Sequence, residues 1–284
     1  MKSPKRIQPL IEDGLVDEVI GQLMSGKEAS IYIVRCGSEI RCAKVYKEAN
    51  KRSFKNAADY LEGRSGRSSR RARALSKGSK FGRSQREEAW QNAEVDALYR
   101  LANAGVRVPK PYGCFDGVLL MEMITDGEGA AAPRLNDVCI TSEQALIDHA
   151  TVMNQVTRML CAGLVHGDLS EFNVLVDDGG PVIIDLPQAV DAAGNNNARS
   201  MLERDVNNMR AFYGRFAPEL QDTRYAQEIW ALYESGKLHP DIELTGRFQE
   251  STKVADVDAV IEEIKAALAE QRERQERLRD VSGA

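Results

Sequence analysis

The sequence predicts an α+β fold in two lobes, a small antiparallel sheet with one main helix followed by a mostly helical lobe. Three observations carry this. The β-branched runs bounded by turn residues all fall before Ile124, helical periodicity dominates beyond Ser142, and a Gly/Ala-rich stretch, Thr125 to Pro133, separates the two regimes. The lobes are accordingly residues 1–124 and 125–284.

Ile7 to Leu23 has apolar residues at helix-like spacing (Leu10, Ile11, Leu15, Val19, Ile20, Leu23), interrupted by Gly14. Met24 to Val34 is a glycine-centred turn entering a β-branched run, and Ile40 to Tyr46 is a second strand antiparallel to it. Glu87 to Ala104 is an amphipathic helix closed by Gly105. Val106 to Pro111 is extended by its prolines, and Val118 to Ile124 is a buried strand. Ser142 to Ala162 is a helix with a favourable N-cap. Two short strands around an Asp-Asp-Gly-Gly turn follow, then helices over Met201–Phe216, Gln221–Ser235 and, long and charged, Val254–Arg279. Trp90 and Trp230 fit as core anchors on amphipathic helices.

With 43% hydrophobic and 29% charged residues, the composition is that of a soluble globular protein. No apolar run reaches the length of a membrane span, and Met1–Leu10 lacks the apolar core of a secretory signal, so a cytoplasmic protein is expected. The five cysteines form no CxxC pair and read as small buried residues in a reducing compartment. Net charge is −5, yet residues 51–86 hold twelve Lys/Arg against Asp59 and Glu62, a local +10. Rich in Gly and Ser, that window reads as a loop suited to a polyanionic partner.

The chemistry concentrates in His166-Gly-Asp168-Leu-Ser-Glu-Phe-Asn173, followed by Asp185 after an apolar run. Taken singly, Asp168 and Asn173 are equally turn residues and His166 a packed core histidine. Together, Asp and Asn in one loop supply an acceptor base and an amide oxygen for Mg²⁺, and a hairpin returns a second carboxylate to the metal. Phosphoryl transfer asks for little else from a protein. Lys44, among apolar neighbours on a strand, needs a partner to be stable there. Glu94 on the following helix is the candidate, with Glu87 and Glu88 as solvated alternatives at the helix start. Ser25-Gly-Lys-Glu-Ala-Ser30 stands where a phosphate-covering loop would be; having one glycine, it is equally an ordinary hairpin turn. His149, in a helix, and His239, before Pro240, are outside this chemistry.

The segments SGKEASIYIV, CAKVYKE, DGVLLMEMI, LVHGDLSEFNVLV and VIIDLPQAV, in order from about Ser25 to about Phe216, resemble the RIO family of atypical protein kinases, most closely its type-1 branch. The resemblance implies a bilobal protein-kinase-like fold, ATP with Mg²⁺ (or Mn²⁺), and Ser/Thr kinase or ATPase activity. It implies Lys44 on the phosphates, Asp168 as base, Asn173 and Asp185 on metal, Met121 as gatekeeper, and the backbones of Glu122 and Ile124 on adenine. An aspartyl-phosphate on Asp185 and autophosphorylation follow from the same likeness. Asp205 is either a brace for the catalytic loop, as in the family, or an exposed helical acid. Asp185-Leu-Pro-Gln replaces Asp-Phe-Gly and no Ala-Pro-Glu follows, so the C-terminal lobe is expected to be reduced.

Two other readings stay open. A small-molecule phosphotransferase of the aminoglycoside or choline sort also uses His-Gly-Asp-Leu, but usually carries a glycine before the asparagine, where Phe172 stands here. An ATP-gated assembly factor binding RNA or ribosomal particles through residues 51–86 is favoured by the +10 charge, although only Phe54 and Phe81 are available for stacking.

Overall fold

A computed structural model describes residues 4–26, 28–47 and 93–249. The basic window 51–86, Trp90, Glu87, Glu88 and the helix expected over 254–279 lie outside the described residues. Residues Met1–Arg247 form one compact unit. Its N-terminal part is an antiparallel sheet lobe and its C-terminal part is mostly helical.

Among the described residues the sheet has five strands: β1 (Glu18–Ser25), β2 (Ala29–Cys36), β3 (Glu39–Tyr46), β4 (Pro111–Phe115) and β5 (Val118–Glu122), in the spatial order β1-β2-β3-β5-β4. Two findings differ from the sequence reading. The helix expected from Ile7 covers only α1, Gln8–Glu12, and the rest of that stretch is β1. Gly14 at φ +71° turns the chain after α1, and the Leu15 and Val16 amides both close back on the Leu10 carbonyl. β2 then offers a ladder that an isolated helix could not match, so Leu15, Ile20 and Leu23, the helix-spaced residues, end up exposed. Met24–Val34 is consequently two strands around a hairpin rather than a turn entering one strand. β4, formed at the end of the proline-rich stretch, adds a further edge.

The two faces of β3 explain how the lobe works. Ala43 and Val45 face a cluster with Ile7, Leu10, Val34 and Leu120, beneath α1. The alternate residues Lys44 and Tyr46 point to the other side, and Tyr46 joins the main core there with Leu98 and Leu101. Those leucines belong to helix α2, whose described part is 93–103, ended by Gly105 at φ +73° as its sequence predicts.

In the helical lobe, α3 (Ser142–Cys161) is capped by Thr141, whose hydroxyl accepts from the Gln144 amide. It packs against α4 (Ala198–Tyr213) and α5 (Tyr225–Glu234), where Trp230 is buried as expected. Between α3 and α4 run two short ladders, β6 (Leu164–Val165) with β9 (Val190–Asp191) and the hairpin β7 (Val174–Asp177) with β8 (Gly180–Ile183). Of the five cysteines only Cys42 is buried; Cys114 on β4 and Cys161 at the end of α3 fall on outward faces, and Cys139 is exposed in the segment before α3. Among the described residues no helix is long and apolar enough to cross a membrane.

Candidate phosphotransfer site

Lys44 is 7% exposed and Glu94 4%. The Lys44 ammonium donates to Glu94 Oε1 at 2.5 Å and to Asp185 Oδ1 at 3.0 Å. The other Glu94 oxygen accepts from the Tyr46 hydroxyl at 2.7 Å. Burial works against the Lys44 charge, but Glu94 and Asp185 outweigh it and hold the ammonium above its ordinary pKa. Burial likewise penalises the Asp185 carboxylate, and Lys44 reverses that, leaving Asp185 below the usual range. Glu94 is thus the partner that Lys44 requires. Tyr46, which the sequence reading passed over, was recoverable from period-two alternation, since it shares Lys44's face two residues on.

The loop from His166 to Asn173 links β6 to β7 and is fastened mainly through its backbone. Asp205 on α4, 1% exposed, accepts from the Gly167 amide at 2.7 Å and the Leu169 amide at 3.0 Å. It is therefore the brace and not an exposed acid. Burial raises its pKa to about 7 against the pull of those two amides. Arg204 bonds the Gly167 carbonyl, and Asn208 donates to the Leu169 carbonyl at 2.9 Å. His166, pushed towards neutrality by burial, accepts the Asp168 amide on Nδ1, so Nε2 carries the proton and donates to Ile184 O at 3.1 Å.

The Asp168 side chain accepts from Gln188 Nε2 at 2.9 Å, and burial raises its pKa despite nearby His166 and Arg204. Asn173 donates through Nδ2 to the Asp168 carbonyl at 2.8 Å, which turns its Oδ1 the other way. The Asn173 carbonyl accepts the Ile184 amide at 3.0 Å, so the loop lies beside the residue that precedes Asp185. Asp185 itself sits at φ +66°, a costly conformation for a residue with a Cβ, with 46% of its side chain exposed.

Other expected residues are spread around this centre. The Ser25 hydroxyl, at the end of β1, lies 3.1 Å from that of Ser30 and accepts from Lys47 Nζ at 3.0 Å. Met121 on β5 is half-buried opposite Cys42. The Glu122 amide donates to Lys110 O at 2.8 Å. Ile124 packs with Ala132 and Val182, and its carbonyl accepts the Ala132 amide at 3.0 Å. His149 is buried at the α3–α4 contact and His239 is exposed, both apart from the centre. A cleft of about 650 Å³ between Met153, Arg158, Tyr225 and Asp241 includes none of the candidate residues. Among the described residues no three His, Cys, Asp or Glu side chains gather as a metal cluster.

The sequence of residues 30–226 matches the model of the RIO domain. The chain is 37% identical over 210 residues to the RIO-type serine/threonine-protein kinase Rio1 of Haloferax volcanii, covering 74% of this chain and 68% of that protein. It is 32% identical over 220 residues to the serine/threonine-protein kinase RIO1 of Chaetomium thermophilum and 30% identical over 221 residues to the human one. These alignments take in 72% and 76% of this chain but only 41% and 36% of those longer proteins. The residues of the loop, the strand lysine and the Asp185 turn all fall within the matched span, and the chain belongs to the RIO family of kinase enzymes.

Proposed function

We propose that this chain transfers the γ-phosphoryl group of ATP to a serine or threonine hydroxyl, its own or another protein's. The observation that carries the reading is Lys44 Nζ held between Glu94 at 2.5 Å and Asp185 at 3.0 Å, beside a loop that presents Asp168. In this reading Glu94, fixed by Tyr46, orients Lys44 towards the α- and β-phosphates, and Asp168 takes the acceptor proton. The Ser25–Ser30 turn covers the phosphates, Met121 is the gatekeeper, and adenine meets the Glu122 carbonyl and the Ile124 amide, which makes no hydrogen bond among the described residues. The active centre then lies where lobe 1–124 meets lobe 125–284.

Asn173 Oδ1 and Asp185 would hold Mg²⁺. One carboxylate and one amide oxygen are enough, because this ion keeps waters and takes phosphate oxygens for its remaining positions. The half-exposed Asp185 carboxylate and the Asn173 Oδ1, turned away from the Asp168 carbonyl, fit that donor set. Bound there, the ion would neutralise phosphate charge. The same exposure of Asp185 admits a second route, in which Asp185 itself accepts the phosphoryl group and water releases it. An RNA or ribosomal partner for residues 51–86 rests on charge alone, and a salt-independent RNA affinity would remove it.

Incubation with γ-labelled ATP and Mg²⁺, beside Asp168→Ala and Asp185→Ala, tests the reading. Acid-stable label on protein, lost in both variants, is the expected result. Label that hydroxylamine removes, with free phosphate accumulating, would favour the aspartyl-phosphate route. ATP binding without turnover on protein or small-molecule acceptors would refute both.

A further inference from the structure

We infer that Gln188 aims the base: its side-chain amide holds one oxygen of Asp168 so that the other faces the acceptor hydroxyl. This rests on the reading of Asp168 as the base. The backbone bonds from Asp205, Arg204 and Asn208 fix the main chain of residues 167–169 but leave the Asp168 side chain free to rotate. Gln188 supplies the missing restraint. Its Nε2 lies 2.9 Å from Asp168 Oδ2, and because a carboxylate only accepts, the amide nitrogen must face it. Among the described residues Oδ1 has no hydrogen-bond partner, and it is the atom left for the acceptor.

Gln188 is itself rigidly mounted. Leu186 and Ala189 on either side are 2% and 4% exposed, and the Ala189 amide closes a turn onto the Leu186 carbonyl at 3.0 Å. The turn begins directly after Asp185, whose φ of +66° redirects the chain. One short segment therefore brings Asp185 to Lys44 and Gln188 to Asp168, coupling the phosphate side of the site to the acceptor side. In the transfer step the acceptor O–H bond breaks and its proton passes to Asp168 Oδ1. The acceptor oxygen bonds to the γ-phosphorus, and the bond to the β–γ bridging oxygen breaks with its electron pair leaving on ADP.

Three variants separate aiming from packing. Gln188→Met keeps the length and loses the donor; kcat should fall by about tenfold to 100-fold, the range for a misplaced catalytic group, with the KM and Kd for ATP unchanged. Gln188→Glu is nearly isosteric but brings a second acceptor against Asp168, and should fall at least as far. Gln188→Lys restores a donor and should recover part of the loss. Wild-type turnover in Gln188→Glu, or equal losses of kcat and ATP affinity in all three, overturns the inference. If Gln188→Met does not fold, the contrast of Glu with Lys still decides. Asp168→Ala at wild-type turnover would sink the base assignment and this inference with it. Inactive Asp168→Ala beside unaffected Gln188→Glu sinks the inference alone.

Discussion

Lys44 and the 166–173 loop meet at one site but are held there by different forces. Lys44 is tied by charge to side chains 50 and 141 residues away, the buried Glu94, which water barely reaches, and the half-exposed Asp185. The loop is tied mainly through its own peptide groups to one helix, α4, by Asp205, Arg204 and Asn208. A buried ion pair is strong only while complete, since either charge alone faces the full desolvation cost. A backbone brace is less sensitive, because each bond contributes about 1 kcal/mol and the others remain when one is lost. The Lys44 side is therefore the more brittle half, and the loop side the better preset.

The largest expected effect is on the brittle half. Among the described residues Lys44→Met leaves buried Glu94 with only the Tyr46 hydroxyl, and should cost about 3–5 kcal/mol in denaturant unfolding, together with loss of ATP turnover. A cost below about 1 kcal/mol would place the pair with weak surface bridges and reverse the comparison.

A pH dependence comes next, from the frame behind the preset half. His149 packs against the rings of Tyr213 and Tyr225 at 5.7 and 5.3 Å, and burial, with Arg210 nearby, lowers its pKa from 6.5 to about 4. The unfolded chain takes up a proton near pH 6.5, while the folded chain does not until about pH 4. Stability is thus fully present above the unfolded value and declines as pH falls towards 4, by up to about 3 kcal/mol. His149→Phe retains the ring packing and should flatten that part of the thermal-melt profile; an unchanged slope would assign acid sensitivity to other groups.

The smallest effect is on the brace itself. Asp205→Asn keeps one acceptor oxygen but turns an NH₂ group towards a backbone amide. It should cost about 1–3 kcal/mol and lower kcat more than ATP affinity. A loss equal to that of Lys44→Met would mean that the two halves are equally brittle.

The candidate motif was legible because its parts are local. His166 to Asn173 is one loop, and Asp185 returns on the next hairpin, so spacing alone suggested a common site. The strand lysine was legible because a charge among apolar neighbours on a strand demands a partner. The first 25 residues were misread for a matching reason. Apolar spacing in Ile7–Leu23 satisfies a helix, but β1 forms because β2 needs a neighbour, and that pairing is a property of the assembled sheet. Gln188 stands in the Asp185-Leu-Pro-Gln segment, but its partner is not legible there, because the contact with Asp168 spans 20 residues and a change of chain direction.

By itself, the sequence determined the two-lobe order of strands and helices and the glycine-closed end of α2, and singled out Lys44, Asp168, Asn173 and Asp185 as candidates. Each of these follows from periodicity, capping or short-range spacing, which local sterics and hydrogen bonding enforce. Tertiary structure alone decided that Glu94 is the acid that reaches Lys44, that Tyr46 fixes it, that Asp205 is buried under the loop, and that Gln188 meets Asp168. These pairings are chosen by which polar groups are buried together and must satisfy one another, and burial is known only once the chain has packed.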